Sequence, residues 1–133
     1  MTPFGGEVSI FRGICRKIKL DVINGVYTPG DQVPTVRALA EMLSINPNTV
    51  QRALSELERE GLLESRGTTG RFITSDIGLI EEMCRKVKEE YVSTTLEKAK
   101  ELAITKEEFI RLIEEFHESP KIINETSRKE DTL

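Results

Sequence analysis

Residues 33–73 read VPTVRALAEMLSINPNTVQRALSELEREGLLESRGTTGRFI, and this stretch decides the fold. Behind Pro34-Thr35, the apolar positions Val36, Leu39, Ala40 and Leu43 follow a helical period, and the Thr35 hydroxyl is suited to cap the free N–H groups of a first turn. That helix is expected to stop near Ser44. Asn46 then offers an N-cap and Pro47 an N1 residue whose missing N–H costs nothing, because that donor has no partner inside a helix. Val50, Ala53, Leu54 and Leu57 give this next helix its core face, and Gly61 ends it. About three residues separate the two helices, the connection length of a helix-turn-helix. Beyond Gly61, Leu62 to Ser65 and Arg71 to Thr74 read as strands around the loop Arg66-Gly67-Thr68-Thr69-Gly70, whose glycines permit close backbone approach to a phosphate. A helix-turn-helix followed by a hairpin is a shape suited to enter DNA.

Upstream, Ile10, Phe11, Ile14, Ile18 and Ile23 recur at spacings of three to five, which predicts a first helix over about Val8 to Asn24 with Gly25 as its stop. Pro29-Gly30-Asp31 is a turn signal. Downstream, Ile80, Cys84, Val87, Tyr91, Thr95, Ala99 and Leu102 recur near helical spacing over Ile77 to Ala103. Thr105-Lys106-Glu107-Glu108 reads as a capping box opening a last helix through Phe109, Ile113 and Phe116. The tail from Ser119 to Leu133 is polar and is expected to be disordered.

The chain has 133 residues and a net charge of −4, which at first argues against a polyanionic partner. The distribution changes that reading. Residues 1–74 hold nine Lys or Arg against eight Asp or Glu, and residues 75–133 hold ten against fifteen, so the acid lies in the C-terminal part. The basic residues of the first part cluster in Arg12 to Lys19, at Arg37 and Arg52, and in Arg66 to Arg71. Aromatics are 5% with no Trp, a poor basis for stacking single-stranded nucleic acid. No apolar run approaches the length of a membrane span, and no secretory signal is visible at the N-terminus, so a soluble cytoplasmic protein without a membrane partner is expected. Cys15 and Cys84 match no metal spacing and read as two buried free thiols. His117, the only histidine, sits between Glu115 and Glu118 and reads as part of a solvated face. With no nucleophile-base pair, no phosphate-cradling Gly loop between a strand and a helix and no metal cluster in the sequence, neither an enzyme nor a cofactor is expected.

The stretch from Phe11 to Thr74 resembles the DNA-binding domain of the GntR transcription regulators. The resemblance rests on Asn24 to Ala40, NGVYTPGDQVPTVRALA, on Asn48 to Leu54, NTVQRAL, and on Leu57 to Leu62, LEREGL, in that order and spacing. It implies a mainly α fold with a small β-hairpin wing: a winged helix-turn-helix over residues 1–75, a helical dimerisation region over 76–118 and the tail over 119–133. It further implies DNA contacts from Thr35 and Arg37 on the second helix and from Asn46, Asn48, Thr49, Gln51 and Arg52 in the N-terminal half of the recognition helix. Gly67 to Gly70 would form the wing tip near the minor groove, flanked by Arg66 and Arg71.

Two positions depart from the commonest pattern of that family. Pro47 stands where many members start the recognition helix with Arg, and Gln51 where many have Arg after Thr-Val. The segment Ile45 to Gln51, INPNTVQ, is instead similar to the YtrA subfamily, whose C-terminal part is short and helical. Two helices of that size cannot enclose an ordinary small-molecule pocket, and a helical hairpin with an exposed apolar stripe is expected to pair with its copy. The expected protein is thus a repressor acting as a homodimer on a palindromic double-stranded DNA operator, with no effector readable from the chain. The alternative is a winged-helix module that binds another protein through its third helix.

Overall fold

The computed structural model describes residues 7–118. The expected disordered tail from Ser119 onward lies outside the described residues. The elements run α1 (Glu7–Ile23), α2 (Val36–Leu43), α3 (Pro47–Arg59), β1 (Leu63–Ser65), β2 (Arg71–Ile73), α4 (Ile77–Glu101) and α5 (Lys106–Glu118). The described residues divide into two compact units, with the division between Lys88 and Glu89 inside α4.

The first unit is organised around α3. Val50, Ala53, Leu54 and Leu57 are almost wholly buried, and they meet Ile14, Cys15, Ile18 and Val22 of α1, Leu39 and Ala40 of α2, and Leu62, Leu63 and Ile73 of the hairpin. Val22 therefore takes the place on α1 that the periodicity gave to Ile23, which is half-buried, and Ile10 at the other end of the stripe is exposed. Met83 and Val87 of α4 also enter this core, which explains why the first unit extends past the hairpin into the following helix. Cys15 is buried and its thiol donates to the Ala53 carbonyl at 3.6 Å, whereas Cys84 is only half-buried, short of the burial expected for both.

The turn between α2 and α3 is Ser44, Ile45 and Asn46. Ser44 adopts a left-handed conformation with φ 55°, which lets the Ile45 N–H reach the Ala40 carbonyl at 3.0 Å and close the end of α2. Strands β1 and β2 pair antiparallel, Leu63 opposite Ile73 and Ser65 opposite Arg71. A third segment widens this small sheet. The Gly30 N–H donates to Ile73 O at 2.9 Å, the Ile73 N–H to Asp31 O at 2.7 Å, and the Val33 N–H to Arg71 O at 3.0 Å. Residues 30–33 thus lie along β2, forming a bridge between Gln32 and Phe72. After β2 the Thr74 hydroxyl donates to Glu64 and accepts from the Asp76 N–H, both at 3.1 Å, and the Asp76 carboxylate accepts from the Leu79 N–H at the start of α4.

In the second unit, the latter part of α4 and all of α5 leave an open groove of about 580 Å³ lined by Tyr91, Leu96, Ala99, Phe109, Ile110 and Ile113 among others. Only Ala99 is a buried hydrophobic here among the described residues; Tyr91 is 62% exposed and Ile113 53%. The Thr105 hydroxyl accepts from the Glu108 N–H at 3.1 Å, the expected cap. The reciprocal half of the capping box is not formed, because the Glu108 carboxylate turns to Arg111 at 3.8 Å. Among the described residues no helix is long and apolar enough to cross a membrane.

Candidate nucleic-acid interface

Each helix of the helix-turn-helix begins with a side chain that closes its own first turn. Thr35 Oγ1 accepts from the Ala38 N–H at 3.1 Å, and Asn46 Oδ1 from the Asn48 N–H at 2.8 Å. Both caps remain exposed, as do Arg37 on α2 and Asn48, Gln51 and Arg52 on α3. Among the described residues the Arg37 side chain makes no hydrogen bond or ion pair. Gln51 donates to the Ser55 hydroxyl one turn on at 3.1 Å. Arg52 leans toward α1, its guanidinium carbon 5.4 Å from the centre of the Phe11 ring.

Thr49 is the exception. Expected on the exposed face, it is 3% exposed. The helical period explains this: Thr49, Ala53 and Leu57 form one row at spacings of four, and that row faces the core. The outward row is Asn48, Gln51, Arg52 and Ser55.

The hairpin loop carries Arg66, exposed, with its guanidinium carbon 4.3 Å above the centre of the Phe72 ring and 3.9 Å between its nitrogen and Glu64. Arg71, expected to flank the wing as a DNA contact, instead lies half-buried and donates from Nε to the Glu58 carboxylate near the end of α3. That hydrogen bond, ahead of the guanidinium charge itself, holds the Glu58 carboxyl below the ordinary glutamate range. The physical reason is strand alternation: Arg71 stands opposite Ser65 in the pair that closes the loop and shares a face with the buried Ile73, and α3 packs against β1. Gly67 and Gly70 both have positive φ, 58° and 129°, so the turn needs them there.

Three residues that the sequence did not single out take part. Gln32 donates from Nε2 to the Thr69 carbonyl at the loop tip, 2.7 Å away. Phe72 supports Arg66, and Glu58 fixes Arg71. No local pattern marks them, since their partners lie between six and thirty-seven residues away.

A helix-turn-helix with a hairpin wing on a three-helix core defines a winged helix-turn-helix protein. Residues 11–73 match the family described as bacterial regulatory proteins, gntR family. The chain is 35% identical over 115 residues to the uncharacterized HTH-type transcriptional regulator YhcF of Bacillus subtilis, covering 86% of this chain and 95% of that one. It is also 37% identical over 83 residues to the HTH-type transcriptional repressor YtrA of the same organism, covering 61% of this chain and 64% of that one. Among solved structures, a GntR family transcriptional regulator from Listeria monocytogenes superimposes with a TM-score of 0.77 at 28% identity, covering 86% of this chain and 98% of its own. The chain belongs to the GntR family of transcription regulators and carries its DNA-binding domain. The family and these relatives are regulators of transcription, not enzymes.

Proposed function

We propose that this regulator binds a palindromic duplex operator as a homodimer and represses transcription there, in the cytoplasm. The observation that carries the reading is the exposed row of α3, where Asn48 and Gln51 carry amides and Arg52 a guanidinium, in a domain whose α2 and wing also expose Arg37 and Arg66. Amides at such positions pair two hydrogen bonds with adenine edges, and guanidinium groups with guanine or phosphate. Thr35 and Asn46, as exposed caps at the starts of α2 and α3, sit where helix N-termini meet the DNA backbone. Gly67 and Gly70 flank Thr68 and Thr69 at the wing tip and let its backbone turn closely enough to approach the minor groove. Thr49 and Arg71 act inside the domain, one in the core and one as a tie between α3 and the hairpin.

Dimerisation is assigned to residues 76–118, and within them to the second unit. Its apolar groove and exposed Tyr91, Ile110, Ile113 and Phe116 present more apolar surface than two short helices can cover by themselves. A twofold pair would present two recognition helices to two half-sites. Repression is supported by the likeness to the relative named a repressor.

Selection of bound fragments from a random duplex pool tests the reading. A recovered palindrome with half-sites about one helical turn apart is the expected result. Recovery of no preferred sequence, with protein partners captured through α3 instead, would overturn it.

A further inference from the structure

The loop that carries Arg66 has little to hold it. Within residues 66–70 the backbone closes on itself, the Arg66 N–H to Gly70 O at 2.9 Å and the Thr69 N–H to Arg66 O at 3.0 Å, and Arg66 to Thr69 are all exposed. Among the described residues, the side-chain hydrogen bond that reaches this tip from outside the hairpin is that of Gln32, whose Nε2 donates to the Thr69 carbonyl at 2.7 Å. The tip is shaped to receive it. A Cβ added at Gly70 would stand 2.7 Å from Gln32 Nε2, so the bare glycine is the opening through which the amide passes. The backbone of Gln32 meanwhile bridges Phe72, and the Phe72 ring is the platform beneath the Arg66 guanidinium. Gln32 therefore supports Arg66 from two sides: its side chain fixes the tip and its main chain fixes the platform.

We infer that Gln32 is a positioning residue of the DNA interface, holding the wing in the pose from which Arg66 meets the DNA backbone. This rests on the operator-binding reading above. Gln32 is exposed and the bond joins neutral groups, so its loss changes overall stability little. Its effect lies in orientation: an unpinned loop with two glycines samples many poses, and ordering it on DNA then costs affinity.

Gln32→Met removes the donor at nearly unchanged length, and Arg66→Ala removes the group to be positioned. The full chain in four forms, wild type, each single variant and the double, is titrated at fixed salt with one duplex recovered by the wild type from the random pool. The expected result is a loss of about three- to tenfold for Gln32→Met, and no further loss when it is added to Arg66→Ala, since both act through the same contact. In the free protein, exchange of the Thr69 amide proton accelerates in Gln32→Met while the melting temperature stays unchanged. Additive losses in the double variant, unchanged affinity in either single variant, or an unchanged Thr69 exchange rate overturns the inference while the regulator reading stands. If the wild type itself recovers no duplex, the regulator reading fails and the role of Gln32 fails with it.

Discussion

At the scale of single residues, the two kinds of DNA contact proposed for Arg37 and Gln51 are separable by experiment. Arg37, exposed and without an ion pair among the described residues, presents a point of positive charge, so Arg37→Ala is expected to weaken all duplexes alike and lower the salt slope of binding by about one. Gln51→Ala is expected instead to relax preference at particular base positions, by about 1 to 3 kcal/mol if the contact is bidentate. Gel shifts against a panel of single-base operator variants distinguish the two, and the reverse pattern would exchange the roles. The caps at Thr35, Asn46 and Thr105 were readable from sequence because each finds its partner within three residues. The inward turn of Thr49 was readable in principle from its spacing to Ala53 and Leu57, but polarity argued the other way. The Arg71 pairing was not readable, since nothing near residue 71 names Glu58 as its partner.

At the scale of elements, the helix boundaries followed the sequence to within a residue or two, because caps and glycines mark them locally. The hairpin was also visible. The third segment along β2 was not, because residues 30–33 carry a turn signal and no strand pattern, and their pairing depends on contacts with residues 71–73. The turn at Ser44 holds a non-glycine residue with φ 55° and an exposed side chain. Ser44→Gly is therefore expected to stabilise the domain by about 1 kcal/mol, read as a rise in melting temperature, and a fall would show that the serine hydroxyl matters more than the strain. The tie between α3 and the hairpin depends on pH. The folded pKa of Glu58 is depressed, so its contribution is fully present above the ordinary glutamate range and is lost as pH falls through the lower folded value. Glu58→Gln should accordingly flatten the loss of stability in melts taken from about pH 6 to about pH 3, and a slope equal to wild type would remove Glu58 from that role.

At the scale of the whole molecule, the apolar face of the second unit sets an expectation for assembly. Ile113→Glu should shift the sedimenting species from dimer to monomer while helix content is retained, and a wild type already monomeric at micromolar concentration would contradict the pairing. The helical spacing of apolar residues along α4 was visible in the sequence, but its division was not: one periodic stripe serves two different neighbours, and periodicity does not say which. Met83 and Val87 complete the core of the first unit, each contributing about 1.5 to 3 kcal/mol through burial, a large share of the 5 to 15 kcal/mol typical of a domain. A chain ending at Ser75 should therefore melt at much lower temperature than one ending at Lys88, as circular dichroism would show; equal melting would mean that those turns are dispensable. The family match ends at residue 73, short of this helix. A chimera joined at that point would leave the core of the first unit without Met83 and Val87. The seam at which a foreign C-terminal element can be attached to this chain therefore lies past Lys88, and the opening turns of α4 have to be kept with the DNA-binding domain.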